Sequence, residues 1–408
     1  MHPISTSLDK VDLLMERGAS IPNPYTIDIG DDVDLSRISA VGLTLFPGCR
    51  IYGARTVISS GSTLGAEAPV TIDDCCLGPA VELKGGCFRR SVFLERASMG
   101  SGAQVREGCL LEEEASGAHC VGLKQTILFP FVTLGSLINF CDCLMAGGTS
   151  RADHSEVGSS YIHFNYTPDG DKTTASLFGD VPRGVMLDQP PIFLGGQGGA
   201  VGPVHVEYGT VVAAGSIVHR DLLTKDRLVS SPPPPAFERE RHPRTYGHLG
   251  RVVRNNVVYL ANLVALEEWY EKVRRPFFAR QEFGDSVCDG ALQGLAAAKE
   301  ERESRLRAMA EKAPLTKAAG RQLQEGVEGL CAVFGAQSRP VGSNEERFLA
   351  GLSSATAAAA DRGYIETIQG LTRALSALGV EWLQQVVDAL IGEAGALLPE
   401  LGLQPGRH

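Results

Sequence analysis

Long apolar runs are missing from this sequence. None approaches the ~20 residues that a helix needs to cross a bilayer, so no membrane span is expected. The opening stretch, MHPISTSLDKVDLL, lacks a basic segment followed by an apolar one, which is not the pattern of a secretory signal. The cytosol is the expected compartment. Positive charge is also scarce: 38 Lys and Arg against 48 Asp and Glu leave a net charge of -10. That balance excludes nucleic acid and anionic membranes as wholesale partners, while leaving room for a local basic patch that takes a small phosphate. CxxC pairs are absent. Eight of the ten cysteines (Cys49, Cys75, Cys76, Cys87, Cys109, Cys120, Cys141 and Cys143) fall in the first half, and they are expected to be reduced and mostly buried. Cys141 and Cys143 offer two thiols from one segment, but no second pair or spaced histidine follows them, so no metal site is assigned.

What the chain has instead is a short repeat. In VELKGGCFRRSVFLERASMGSGAQVREGCLLEEEAS, the residues Val81, Cys87, Phe93, Met99, Val105 and Leu111 recur at every sixth position, and Leu123 keeps the register. The same phase runs through Leu45, Ile51 and Val57 and reappears in VGPVHVEYGTVVAAGSIV. A period of six does not hold one face of a 3.6-residue helix. With small residues between the aliphatic leaders, it is the mark of a parallel β-helix whose every coil is three short strands. From about Ile27 to Leu222 there is room for on the order of ten coils. The expected fold is mainly β: a left-handed parallel β-helix of hexapeptide repeats over 27–231, after an N-terminal extension at 1–26.

The stretch 165–191, NYTPDGDKTTASLFGDVPRGVMLDQPP, loses the hexad phase and is expected to protrude as a loop. Four prolines at 232–235 end strand pairing. Beyond them, over 232–408, the texture is helical. The apolar spacing of Val258, Leu260, Leu263, Val264, Leu266, Trp269, Tyr270 and Val273 predicts a helix that stops before Pro276, within a bundle of about five. That domain carries no chemical motif; packing, oligomerisation or recruitment of a partner are its expected uses.

Three blocks carry a resemblance to a known family. SRADH (150–154), FNYTPDGDK (164–172) and IFLGGQGGAVGPVHVEYGTVVAAGSIVHRDL (192–222) are similar to segments of the acetyltransferase domain of bacterial N-acetylglucosamine-1-phosphate uridyltransferase/glucosamine-1-phosphate acetyltransferase, a hexapeptide-repeat acyltransferase. The resemblance implies that His154 is the general base. It implies that Arg151, Asn165, Tyr166 and Lys172 hold a phosphosugar or nucleotide-sugar, and that Gly196 and Ala214 line the site of acetyl-CoA or another acyl-CoA. It also implies a homotrimer. A histidine with a pKa near ~6.5 suits proton abstraction from an amine or hydroxyl at neutral pH. The chain departs from the family in three ways. The interval from His154 to Asn165 is shorter by roughly two hexads, a serine of the coenzyme pocket is replaced by Gly196, and no Gly-rich phosphate loop precedes the β-helix, so uridyl transfer is not expected. His163 is the fallback base, ahead of His119 and His205.

Two other functions compete with acyl transfer. One is a non-catalytic sugar-nucleotide-binding or scaffold protein whose helical domain recruits a partner. The other is a γ-class carbonic anhydrase, but His154 and His163 do not form that family's close histidine pair. The glycines of GGQGGAVG are explained by hexad turns rather than by a dinucleotide fingerprint, which needs a strand before it and a helix after.

Overall fold

The computed structural model describes residues 4–164, 170–233, 235–238, 240, 242, 246, 248–335, 342–358 and 361–404. Its first half is the expected parallel β-solenoid, a triangular prism in which short strands stack in register on three faces. On the first face ten strands follow one another from Thr44–Leu45 to Leu228–Val229. The second face begins at Asp28–Ile29 and ends at Ile217–Val218. The third begins at Val57–Ile58 and reaches His205–Val206. Two longer strands, Gly122–Leu128 and Asn139–Met145, run round the edge between the second and third faces.

Alternation in each strand sends one residue into the prism and the next outward. The inner column of the third face is Ile58, Leu77, Phe93, Leu111, Leu128, Met145, Phe178 and Val206, all of them buried. The hexad phase slips at one place. Cys87 pairs with Gln104 in the outward row of the second face, and Phe88 takes the inner position beside Val105. Gly85 and Gly86 set this shift: Gly86, at φ +132, has Ala103 O where a side chain would begin.

The outward rows differ between faces, and the difference positions everything else. On the first face the outward row runs Thr44, Thr63, Glu82, Ser98, Ser116, Thr133 and Glu156 before turning apolar at Phe193, Val211 and Leu228. On the third face it runs Val57, Cys76, Val92, Leu110, Ile127, Leu144 and Leu177, all buried. Such a row must be covered, because apolar surface of that extent is costly in water.

Helices cover it. The prism is preceded by α1 (Ile4–Glu16), whose Lys10 Nζ caps the carbonyls of Gly30 and Val33 at 2.7 and 2.8 Å. A short α2 (Val181–Gly184) lies in an excursion of the late coils. The C-terminal domain comprises α3 (Leu249–Trp269), α4 (Arg275–Phe278), α5 (Gly284–Ala310), α6 (Ala318–Phe334), α7 (Ser343–Ala358), α8 (Tyr364–Gln369) and α9 (Arg373–Leu397). Five of these are long. α3 does not simply stop before Pro276: it passes through a π-helical turn, Tyr270–Arg274, and Pro276 sits in the first turn of α4, where its missing N–H costs nothing. α9 is long and apolar enough by length and composition to cross a membrane, a property the run-length criterion missed. It packs against α3, α6 and α7.

α5 lies lengthwise along the stack. Gly290 meets Cys76 and Val92, Arg302 reaches Asp142 at 2.7 Å, and Met309 meets Thr173 at 3.5 Å. The 19 residues from 290 to 309 rise roughly 28 Å, and the coil steps they span rise about 24 Å, so helix pitch and coil spacing are matched. Arg302 and Arg274, each 2% exposed, enter the prism edges as cations. Arg274 pairs with Glu112 at 3.2 Å and with Glu113, and its guanidinium lies over the Tyr364 ring at 4.0 Å.

The expected loop 165–191 is corrected by the structure. Within it Ser176–Phe178 returns to the third face and pairs with Cys143–Met145. The cause is in the residues: Leu177 and Phe178 supply the outward and inward apolar pair that every coil carries on this face.

Candidate active site

After Met145 the chain leaves the prism at the edge between the third and first faces. Gly148–Ser150 pairs antiparallel with Asp153–His154 in a small hairpin. Gly148 has φ +97, and a Cβ there would lie 2.5 Å from His154 Cα, so this approach demands glycine. Ser150 Oγ accepts from the amides of Ala152 and Asp153, and Thr149 Oγ1 donates to Asp153 at 2.9 Å. The side chain of His154 is 20% exposed, and its Nδ1 lies 2.9 Å from the carbonyl oxygen of Arg151. A carbonyl only accepts, so Nδ1 carries a proton, and in the neutral ring Nε2 is the nitrogen left with a lone pair. Glu156 Oε2 stands 4.0 Å from Nε2.

Two residues brace the hairpin. Arg151 Nη1 donates to Glu114 O, Phe131 O and Thr133 Oγ1 at 2.9–3.0 Å, tying the turn to earlier coils. From the helical domain, Gln369 Nε2 donates to Thr149 O at 2.7 Å and to Leu187 O at 3.1 Å. Sequence reasoning missed both Glu156 and Gln369. Glu156 was within reach, since a residue two positions along an extended segment points the same way; Gln369 carries no local signal.

The other expected site residues lie elsewhere on the protomer. Lys172 is exposed at the edge between the second and third faces, where Arg302 Nη1 donates to its carbonyl at 3.5 Å and the preceding Asp171 is buried. Asn165 and Tyr166 fall outside the described residues. Gly196 and Ala214 sit at the third edge, between the first and second faces. There, a Cβ on Gly195 would meet Ala214 N at 2.4 Å, and one on Gly158 would meet Gly196 N at the same distance. Backbone therefore stacks on backbone, leaving a smooth edge. His154, Lys172 and the Gly196–Ala214 pair therefore occupy three different edges of the prism.

His163, the fallback base, is in the inner column of the second face. It is 4% exposed, lies edge-on to Phe140 and Phe178, and bonds Ser176 Oγ at 2.7 Å. Burial pushes its pKa down to about 4. No acceptor molecule can reach it there, so its place is structural. Of the expected thiols, Cys143 is buried between Thr126 and the core, while Cys141 faces outward and burial pushes its pKa up to about 11. Among the described residues, no group of three His, Cys, Asp or Glu is placed to hold a metal ion.

Comparison with known proteins adds a relationship. No family model matches the chain. The chain is 25% identical over 215 residues to the bifunctional protein GlmU of Thermotoga petrophila, covering 52% of this chain and 42% of that one. It is 27% identical over 210 residues to the GlmU of Trichlorobacter lovleyi, covering 51% and 40%. About half of the chain is GlmU-like. The chain spans less than half the length of these GlmU relatives. A UDP-N-acetylglucosamine acyltransferase from Campylobacter jejuni is a structural match at 12% identity and a TM-score of 0.17, covering 53% of this chain and 70% of that one. The GlmU likeness and the solenoid of six-residue repeats together fit the hexapeptide-repeat acyltransferase scaffold.

Proposed function

We propose that the protein transfers an acyl group from acetyl-CoA or another acyl-CoA to an amino or hydroxyl group of a phosphosugar or nucleotide-sugar, as a homotrimer, with His154 as general base. The observation that carries this reading is the His154 Nδ1 bond to the Arg151 carbonyl, which leaves Nε2 as a proton acceptor. Nε2 takes the proton from the acceptor as it attacks the thioester carbonyl. The tetrahedral intermediate collapses, the C–S bond breaks, and the imidazolium returns the proton to the departing thiolate of coenzyme A. Glu156 at 4.0 Å steadies the imidazolium between the two steps.

Three-fold assembly would bring two of the three separated edges together. Helices cover the third face, while the late coils leave Phe193, Val211 and Leu228 exposed on the first face and Ile162 and Phe164 exposed on the second. Packing the first face of one protomer against the second face of the next would bring the His154 edge of one to the Lys172 edge of its neighbour. Lys172 would offset the acceptor's phosphate charge in that cleft, while Gly196 and Ala214, on the remaining edge, would lie near the three-fold axis.

The non-catalytic reading keeps one observation in its favour: the Arg151 nitrogen that a ligand would use is occupied by coil oxygens. Thiol release from acetyl-CoA, screened over phosphosugars and nucleotide-sugars, separates the two. Under the proposal His154→Ala lowers the rate ~10²-fold or more while calorimetry shows coenzyme A binding intact. An unchanged rate removes His154 from the chemistry, and absence of coenzyme A binding by the native protein leaves the scaffold reading.

A further inference from the structure

The outward row of the third face is apolar from Val57 to Leu177 and then changes character. Its next member, in register with Leu177, is His205. A histidine here breaks the apolar seam that the helices cover, and it does so beside a small cleft of about 30 Å³ between the late coils and α3. Leu177 and Val204 form the apolar floor; His205, Asp221, Arg254 and Asn255 supply the polar wall.

Two of those polar groups have unmet hydrogen bonds. His205 is 6% exposed, and its Nε2 is buried with no partner among the described residues. Arg254 Nε is buried in the same condition. The carboxylates nearby are already served. Asp221 Oδ1 accepts from the His205 amide and from Asn255 Nδ2, each at 3.0 Å, with Arg251 Nη1 at 3.7 Å. Asp180 and Glu207 share Arg183. Leaving a buried polar nitrogen unpaired costs about 1–3 kcal/mol, so two of them converging on one cleft ask for an occupant.

We propose that this cleft is a binding site for a small oxyanion, a phosphate or carboxylate group, held between Arg254 Nε–H and His205 Nε2–H. Burial opposes a charge on this imidazole, and in the tautomer that carries its proton on Nε2 the ring donates without adding a second buried charge. The guanidinium brings the one cation in the wall that has no carboxylate beside it among the ion pairs of the described residues. The site spans the junction of the two domains: His205 belongs to the solenoid and Arg254 to α3. An occupant therefore ties α3 to the late coils. The site is distinct from the His154 hairpin and does not depend on the acyl-transfer proposal.

The test is calorimetric titration of the full chain with inorganic phosphate and, separately, with acetate, each against sodium chloride at matched ionic strength. The expected result is saturable binding of at least one of the two, with the tighter one naming the source. Arg254→Gln is expected to weaken it by about tenfold or more, and Arg220→Gln, an exposed control, to leave it unchanged. Circular dichroism confirms that each variant is folded. Should Arg254→Gln disturb folding, Arg254→Lys, which keeps the charge but not the buried Nε–H, is expected to weaken binding as well. Absence of saturable binding for both anions, or equal binding by the native protein and folded Arg254 variants, overturns the proposal.

Discussion

At the residue scale, a single step in the pleat decides what a side chain can do. His163 and His154 lie nine positions apart, one inside the prism between Phe140 and Phe178, the other on a hairpin outside it. The repeat already held this distinction: Phe140 precedes His163 in the inner column, and inner positions follow from alternation. The sequence phase was lost because the excursions interrupt the count just before it. The buried imidazole has a consequence for stability. Its folded pKa of about 4 lies below the free value of 6.5, so on acidification the unfolded chain takes up the proton first. This contribution is complete above pH 6.5 and is lost as pH falls towards 4. At pH 5 the loss is about 2 kcal/mol relative to pH 7.5. Burial shifts His205 in the same direction. Urea unfolding at the two pH values should show this drop, and His163→Phe should remove the His163 share of it; an unchanged slope in that variant would mean His163 is not the group responsible.

At the element scale, the hexads were legible as coils, and the doublets within them were legible too. Pairs such as Leu110–Leu111, Ile127–Leu128 and Leu177–Phe178 run along the third face, whereas on the first face they begin only at Phe193–Leu194, and two adjacent apolar residues in a half-exposed sheet announce a covering layer. Read that way, Ser176–Phe178 would have been placed in a coil rather than in a loop. The His154 hairpin was less legible, because its brace comes from α8, more than two hundred residues later. Gln369 is therefore a positioning residue under the acyl-transfer proposal. Gln369→Ala is expected to lower kcat with little change in KM for acyl-CoA, and to speed amide exchange at residues 148–154 specifically. Unaltered exchange there would show that the hairpin holds without it.

At the scale of the whole molecule, the two domains are clasped by buried ion pairs that no local pattern revealed, since each unites residues far apart in the chain. Arg302→Met removes the 2.7 Å guanidinium partner of the buried Asp142 and is expected to destabilise the protein by about 3–5 kcal/mol in denaturant unfolding. Asp142→Asn combined with it should recover much of that loss, because Asn tolerates the left-handed conformation of residue 142, φ 56. Equal instability of single and double variants would show that the charge is not what matters. The exposed late-coil residues make a separate prediction. Sedimentation should find trimers for the native protein and monomers for Val211→Glu, whose side chain is 40% exposed in the protomer; a native monomer would end the shared-cleft proposal. A bare stack of coils can fray rung by rung from its ends, since each rung touches only its neighbours. With α5 laid along so many rungs, loosening one middle rung means prising away the rod that grips the others. Pulling on the two ends should therefore give one abrupt rupture through that region in place of a staircase of small yields.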